Sequence, residues 1–288
     1  MTTELLVLMF LKAQAAASGA ILLVLALRRF VRRTFGAELG YYLWLVVPVA
    51  GMAALFPSLP EIREGMQAPT SLAVALAVIQ APALDYARPA AIVWAIGTVS
   101  LGVVFLYAQW RFDRSAKAGK AGPAATGFWP RMIVPAGYAQ RFSLEERALI
   151  RAHERAHMDR RDPTSNLTIA FIQAISWFNP LVHVAATLAR IDQELSVDAK
   201  VMALHPKGRR RYAETLLKAH SRGLNSPLAC ALAIGARHPL EVRLAMLGMR
   251  RISVERDGQG VVLIGALATA IVLALWVLAP ALVAYSPL

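Results

Sequence analysis

Four stretches of this chain run apolar for about twenty residues each, at roughly 5–27, 39–59, 90–110 and 261–284. As helices each is long enough to cross the ~30 Å hydrocarbon core of a bilayer, with Pro48 expected to kink the second. Tyr41, Tyr42 and Trp44 at one end of the second stretch, and Tyr107 and Trp110 at the end of the third, fall where aromatic belts anchor spans. Between the third and fourth stretches the pattern changes. Residues 115–127 are rich in Gly, Ala and Pro and read as a flexible linker, and 128–142 read as short paired strands. Ser143 with Glu146 forms a capping box that opens a periodic helix over 144–161. That helix carries Glu145, Glu146, Arg147, Arg151, Glu154, Arg155, Asp159, Arg160 and Arg161, a charge load that bars it from lipid.

Residues 167–189 contain no Asp, Glu, Lys or Arg and imitate another span, but Asn179 and Pro180 break the run in its middle. Each half has the length of a core helix or of one arm of a re-entrant pair. The short apolar segment 71–83 reads as an outer-surface or re-entrant helix. Lys12 and Gln14 interrupt the first stretch and are expected to snorkel or to face another helix.

Composition agrees with a membrane protein carrying one modest soluble domain: 57% of the 288 residues are hydrophobic, yet the net charge is +13. Arg28, Arg29, Arg32 and Arg33 follow the first span, so that loop is expected inside and the N-terminus outside. The loop 60–89 is nearly neutral, and Arg111, Arg114, Lys117 and Lys120 follow the third span, in keeping with this topology. Basic residues come after the first apolar run instead of before it, so the run is read as a retained anchor rather than a signal peptide. From 111 to 259 there are 24 Lys and Arg against 13 Asp and Glu, which reads as a cytoplasmic face attracted to anionic lipid. No aromatic-interleaved basic motif points to nucleic acid. The single cysteine, Cys230, excludes an intramolecular disulfide and a thiolate zinc cluster. The expected domains are a three-span membrane region (1–110), a cytoplasmic domain (111–260) and a fourth span with a short tail (261–288).

The chemistry lies in His153-Glu154-Arg155-Ala156-His157, an H-E-x-x-H pattern on the charged helix. A four-residue offset puts both imidazoles on one face, close enough to share a tetrahedral Zn²⁺, with the glutamate between them able to reach a coordinated water. The chain's own His and Glu frequencies leave only about 0.005 chance matches to the pattern. A third ligand must come from elsewhere, and Glu194 is the choice. It sits one helical turn before Asp198, which is expected to accept the free ring N–H of a ligating histidine. Glu154 is expected to take a proton from the attacking water and return it to the leaving amine. Tyr212, His205, His220 and His238 are all candidates for a second oxyanion donor. His183 reads as a satisfied core histidine, and Asp162 before Pro163 as the end of the charged helix or as an outer support of the site.

The chain resembles the BlaR and MecR type antirepressor metallopeptidases of bacterial membranes. The resemblance rests on His153 to His157 with Arg161-Asp162-Pro163, on Trp177-Phe-Asn-Pro180, on Asp192-Gln-Glu194 leading to Asp198, and on Tyr212-Ala-Glu-Thr-Leu216 and His238-Pro-Leu-Glu-Val-Arg243. It implies His153, His157 and Glu194 as zinc ligands and Glu154 as the catalytic acid/base. It also implies a signalling role, in which cleavage inside the cell releases repression of resistance genes. The expected fold is therefore mainly α, a polytopic membrane protein with four transmembrane helices and a cytoplasmic helical zincin-type metalloprotease domain, in the bacterial inner membrane. Only Tyr285-Ser-Pro-Leu288 follow the last apolar stretch, so no penicillin-binding sensor domain is expected. The expected partners are a protein substrate, either a cytosolic transcriptional repressor or the chain itself, and membrane lipid. A separate sensor protein and a second copy of the chain are further candidates. Two alternatives compete with antirepression: a membrane quality-control zinc protease, and a non-catalytic transducer in which zinc only braces the fold.

Overall fold

The computed structural model describes residues 3–56, 86–126, 131–220, 239–248 and 254–278. Its elements in chain order are α1 (Thr3–Phe35), α2 (Ala37–Tyr42), a 3-10 turn (Leu43–Leu45), α3 (Val46–Ala53), α4 (Ala87–Lys117), β1 (Ala124–Thr126), β2 (Arg131–Ile133), α5 (Tyr138–Arg141), α6 (Leu144–Asp159), α7 (Asp162–Ile175), α8 (Pro180–Leu204), α9 (Arg209–His220), α10 (Pro239–Leu247) and α11 (Val254–Leu278). Among the described residues three helices are long and apolar enough to cross a membrane, Leu6–Phe35, Ala87–Lys117 and Gly258–Val277. The stretch expected at 39–59 appears as a shorter apolar helical segment, Ala37–Ala53, and its residues 57–59 lie outside the described set. The 3-10 turn in that segment includes Trp44, whose carbonyl would bond the N–H that Pro48 lacks. The helix expected at 71–83 also lies outside the described residues.

The strands differ from expectation. β1 falls inside the presumed flexible linker and pairs antiparallel with β2 in the register Ala124↔Ile133, Ala125↔Met132 and Thr126↔Arg131. The pair rests against α6, so ladder bonds and packing outweigh the small-residue composition of 115–127. The capping box is present at the start of α6. Glu146 N–H donates to Ser143 Oγ at 3.2 Å, and Ser143 N–H to Glu146 Oε2 at 2.7 Å. The helix ends at Asp159, two residues earlier than the charge pattern suggests, because Arg161 adopts a left-handed conformation (φ 58°) that turns the chain into α7.

The charge-free run 167–189 folds as parts of two helices that turn at Ser176–Asn179. Asn179 caps α8 by accepting from Leu181 N–H at 3.1 Å, and Pro180 occupies the first turn, where its missing donor costs nothing. The first half of α8 buries Val182, Ala185 and Ala189 against Ala20, Ile21 and Val24 of α1 and Leu43, Val46 and Ala50 beyond it. Trp177 packs so closely on α4 that a Cβ at Gly97 would collide with its indole. The second half of α8 enters a separate core of Leu149, Ala156, Val197, Val201, Met202, Tyr212 and Leu247. Each fully buried aliphatic side chain of that core stabilises the fold by about 1.5–3 kcal/mol relative to exposure. α8 therefore ties the spanning helices to the helices that carry the polar chemistry.

Candidate metal centre

The α6–α8 contact brings His153, His157 and Glu194 together, with one ligand atom from each lying within 4.8 Å of the others. The two imidazole Nε2 atoms are 3.1 Å apart. His153 Nε2 lies 3.4 Å from Glu194 Oε2, and His157 Nε2 lies 3.4 Å from Glu194 Oε1. Tetrahedral donors about 2.0–2.1 Å from a Zn²⁺ stand roughly 3.3–3.4 Å from one another, so this triangle fits such an ion. Both histidines are buried, whereas the Glu194 side chain is 32% exposed, leaving an approach from solvent on the glutamate side. Glu154 is buried on α6 beside the two histidines.

Each imidazole is oriented through its other nitrogen. His157 Nδ1–H donates to Asp162 Oδ2 at 2.6 Å. Asp162 is held in turn by a fork from Arg160, whose Nε reaches Oδ1 at 2.7 Å and whose Nη2 reaches Oδ2 at 2.6 Å. Arg160 also donates to Ser196 Oγ at 2.6 Å and to the Gln193 carbonyl at 3.1 Å, and it lies 4.5 Å from the centre of the Tyr41 ring. On the other side, His153 Nδ1–H donates to Tyr212 Oη at 2.9 Å, and the Tyr212 hydroxyl donates to Asp198 Oδ1 at 2.6 Å. Arg243 grips Asp198 through two bonds of 2.8 Å and places Nη1 3.0 Å from Glu194 Oε2. Both rings thereby turn Nε2 toward the shared position, the nitrogen that would ligate a metal once deprotonated.

The electrostatics follow from these pairs. Burial by itself would lower the His153 imidazole, but the carboxylates of Asp198 and Glu194 raise it to about 9. Burial would raise Glu194 and Asp198, yet the Arg243 charge holds both well below the ordinary carboxylate range. Asp162 is likewise lowered against its burial by hydrogen bonds from His157 and Arg160. The Tyr212 phenol is pushed well up by burial and by the Asp198 charge, so it stays a neutral donor. The group combines fixed negative charge, two oriented imidazoles and a partly open face, a donor set that could hold a metal ion.

Two sequence expectations change in detail. Asp198 Oδ1 is 3.4 Å from His153 Nδ1, and Tyr212 is the nearer partner, standing between them. Asp162 opens α7 instead of closing α6, and its carboxylate orients His157. Tyr212 has its hydroxyl engaged by Asp198 and His153, so it is not free to donate to a substrate oxyanion. His205 caps the end of α8, and His238 lies outside the described residues. His183 has both ring nitrogens bonded, one to Gln173 Nε2 at 3.2 Å and the other to the Trp177 carbonyl at 3.0 Å. The contribution of Arg243 had no local signal; only its place in the segment His238–Arg243 marked it. Asp192, two residues before Glu194, is buried and accepts from Arg28 (3.0 and 2.9 Å), Arg32 (2.9 Å) and Trp44 Nε1 (2.9 Å). The helix that carries Glu194 is thus pinned to the basic end of α1.

Residues 8–121 and 115–247 match the family described as BlaR1 peptidase M56. The regulatory protein BlaR1 of Bacillus licheniformis is 32% identical over 90 residues, a match that spans 31% of this chain and 15% of that protein.

Proposed function

We propose, from the premise that this chain belongs to the BlaR1 peptidase M56 family, that it is a membrane-anchored zinc endopeptidase of signal transduction whose substrate is a cytosolic repressor or regulator, or its own chain. In this reading His153, His157 and Glu194 hold the ion, and the 3.1, 3.4 and 3.4 Å triangle of their donor atoms is the observation that carries it. A Zn²⁺ held there would supply Lewis acidity and lower the pKa of a coordinated water to near neutrality. Glu154 accepts the proton of the attacking water at its carboxylate and passes it to the departing amine. Tyr212 with Asp198, and Asp162 with Arg160, keep the two imidazoles in the ligating tautomer while the peptide approaches from the Glu194 side. Arg243 pairs with Asp198 and also reaches the ligand Glu194, keeping both carboxylates ionised.

The same reading places the N-terminus outside the inner membrane and the basic C-terminal ends of α1 and α4 inside. The catalytic domain, residues 111–260, then faces the cytoplasm between the membrane region 1–110 and the last span, 261–288. The test uses full-length protein in detergent, stripped with a chelator and reloaded with Zn²⁺. The native chain and Glu154→Gln should each bind one ion tightly, only the native chain should cut peptides, and Glu194→Ala should lose tight binding. Full metal affinity in Glu194→Ala would overturn the ligand assignment.

A further inference from the structure

The α7–α8 hairpin lies beside the spanning helices, and its register against α1 shows how far it travels along them. Asn179 Nδ2 donates to Gln14 Oε1 at 3.1 Å and to Ser18 Oγ at 2.9 Å, while Asp192 pairs with Arg28 and Arg32 at the basic end of α1. At the helical rise, Asn179 and Asp192 are about 20 Å apart along α8. The two helices run side by side from the basic end of the span past the middle of an about 30 Å hydrocarbon core. α7 is 14 residues long, or about 21 Å, too short to cross, so the chain turns and comes back on the side it left.

The turn is built for a place without water. Helix ends and loops in lipid must satisfy their backbone groups within the protein. Trp94 Nε1 of α4 donates to the Ile175 carbonyl at 2.7 Å, and Trp177 Nε1 donates back to the Trp94 carbonyl at 3.2 Å. His183 covers the Trp177 carbonyl, and Gln14 Nε2 donates to Ser176 Oγ at 2.7 Å. These partners are neutral, and among the described residues a charge joins them only at one remove, where the buried Arg190 donates to Gln173 Oε1 at 3.0 Å and Gln173 in turn bonds His183. The outward face of α7 is apolar as well: Leu167 is 49% exposed, Phe171 63% and Phe178, just past the helix end, 42%. This face continues the exposed apolar surface of α4, where Val93, Ile96 and Val99 also point outward. The exposed hydroxyl of Thr168 is satisfied internally by the Thr164 carbonyl.

We infer that the α7–α8 hairpin is a re-entrant element inserted in the bilayer beside α1 and α4, with the outer face of α7 in contact with lipid acyl chains. A surface loop in water would have no need of so many internal bonds between neutral groups at its turn, and an exposed phenylalanine and leucine on one helix face fit hydrocarbon. α8 leaves the membrane near Asp192, and its next residues carry Glu194, so the metal-binding group sits at the bilayer surface. The inference does not depend on the peptidase reading, since neither a metal nor activity enters it.

The test is nitroxide accessibility in proteoliposomes of full-length protein, on a Cys230→Ser background that removes the native thiol. Leu167→Cys, Phe171→Cys and Phe178→Cys are labelled singly, with Leu144→Cys, 73% exposed on α6, as the aqueous control. The three hairpin positions are partly exposed, so each variant is admitted on native helicity and monodisperse elution. At positions 171 and 178 collisions with oxygen should dominate those with a water-soluble nickel chelate, and both should read deeper than position 167. Nickel access equal to that of the control would place the hairpin in water. Exclusion of both reagents would mean that protein, such as a second copy of the chain, covers the face. Either result overturns the inference.

Discussion

Two buried polar networks lie on α8, about 22 Å apart along the helix, and they solve the same problem with different chemistry. Around Glu194 the members are ions: Asp162, Arg160, Asp198 and Arg243 pair through short, forked, charge-assisted bonds. Around Asn179 the immediate members are neutral: Gln14, Ser18, Ser176, Trp94 and His183 share single hydrogen bonds, and the charged Arg190 joins only at their edge, through Gln173. The ionic network adjoins a partly open face, where water and a cation offset the cost of burying charge. The neutral network sits between apolar spans, where an unpaired charge would be far more costly than an amide. The difference teaches that one helix carries two environments, and the change from neutral to charged partners marks the level at which α8 leaves the apolar layer, near Asp192.

Substitutions should therefore separate the two networks. Glu194→Ala removes a proposed ligand and is expected to weaken Zn²⁺ binding by more than about 100-fold while leaving helicity unchanged, measured by competition with a chromophoric chelator. Asp162→Asn keeps the shape but loses the charge that orients His157, and the loss should be about 10–100-fold in the same titration. The pH dependence is a further discriminator. The metal-free His153 holds its proton up to about 9, against an ordinary imidazole value of about 6.5. That proton stabilises the metal-free fold fully below about 6.5, and its contribution is lost as pH rises through about 9. Because a ligating imidazole must be deprotonated, apparent metal affinity should rise about tenfold per pH unit between 7 and 9 and then flatten. Asn179→Leu, at the neutral end, should lower stability by about 1–2 kcal/mol in lipid or detergent without changing metal affinity. A metal defect in that variant would show that the two networks are not separate.

Much of this was legible in the chain because the signals are local. An i, i+4 histidine pair, a capping box three residues wide and an Asn-Pro break each depend only on neighbours along one helix, and each appears in place. Glu194 was legible because it shares a helical face with Asp198 one turn away. The roles of Tyr212 and Arg243 were not, since they lie 59 and 45 residues from the partners they hold, and the segments that singled them out do not encode the meeting. Asp162 was legible only as two alternatives, because the local rule for a residue before proline competes with its tertiary bond to His157, and the second, support of the site, is the one the structure shows. Arg28 and Arg32 were read as topology markers, and the structure adds a second task for them as partners of Asp192. The strand in the small-residue linker was hidden because pairing with Arg131–Ile133, not composition, decides it.

The most direct test of the proposed peptidase activity compares new protein N-termini, by mass spectrometry, in cells expressing the native chain and cells expressing Glu154→Gln at matched levels. Glutamine leaves the three proposed ligands in place but cannot accept the water proton, so cleavage should fall by about 10²–10⁴. Peptides that begin at a cut site only with the native chain are the predicted result, and they would name the substrate as a regulator or the chain itself. Identical N-terminal profiles under several envelope stresses would contradict the account and leave the metal as a brace for the fold.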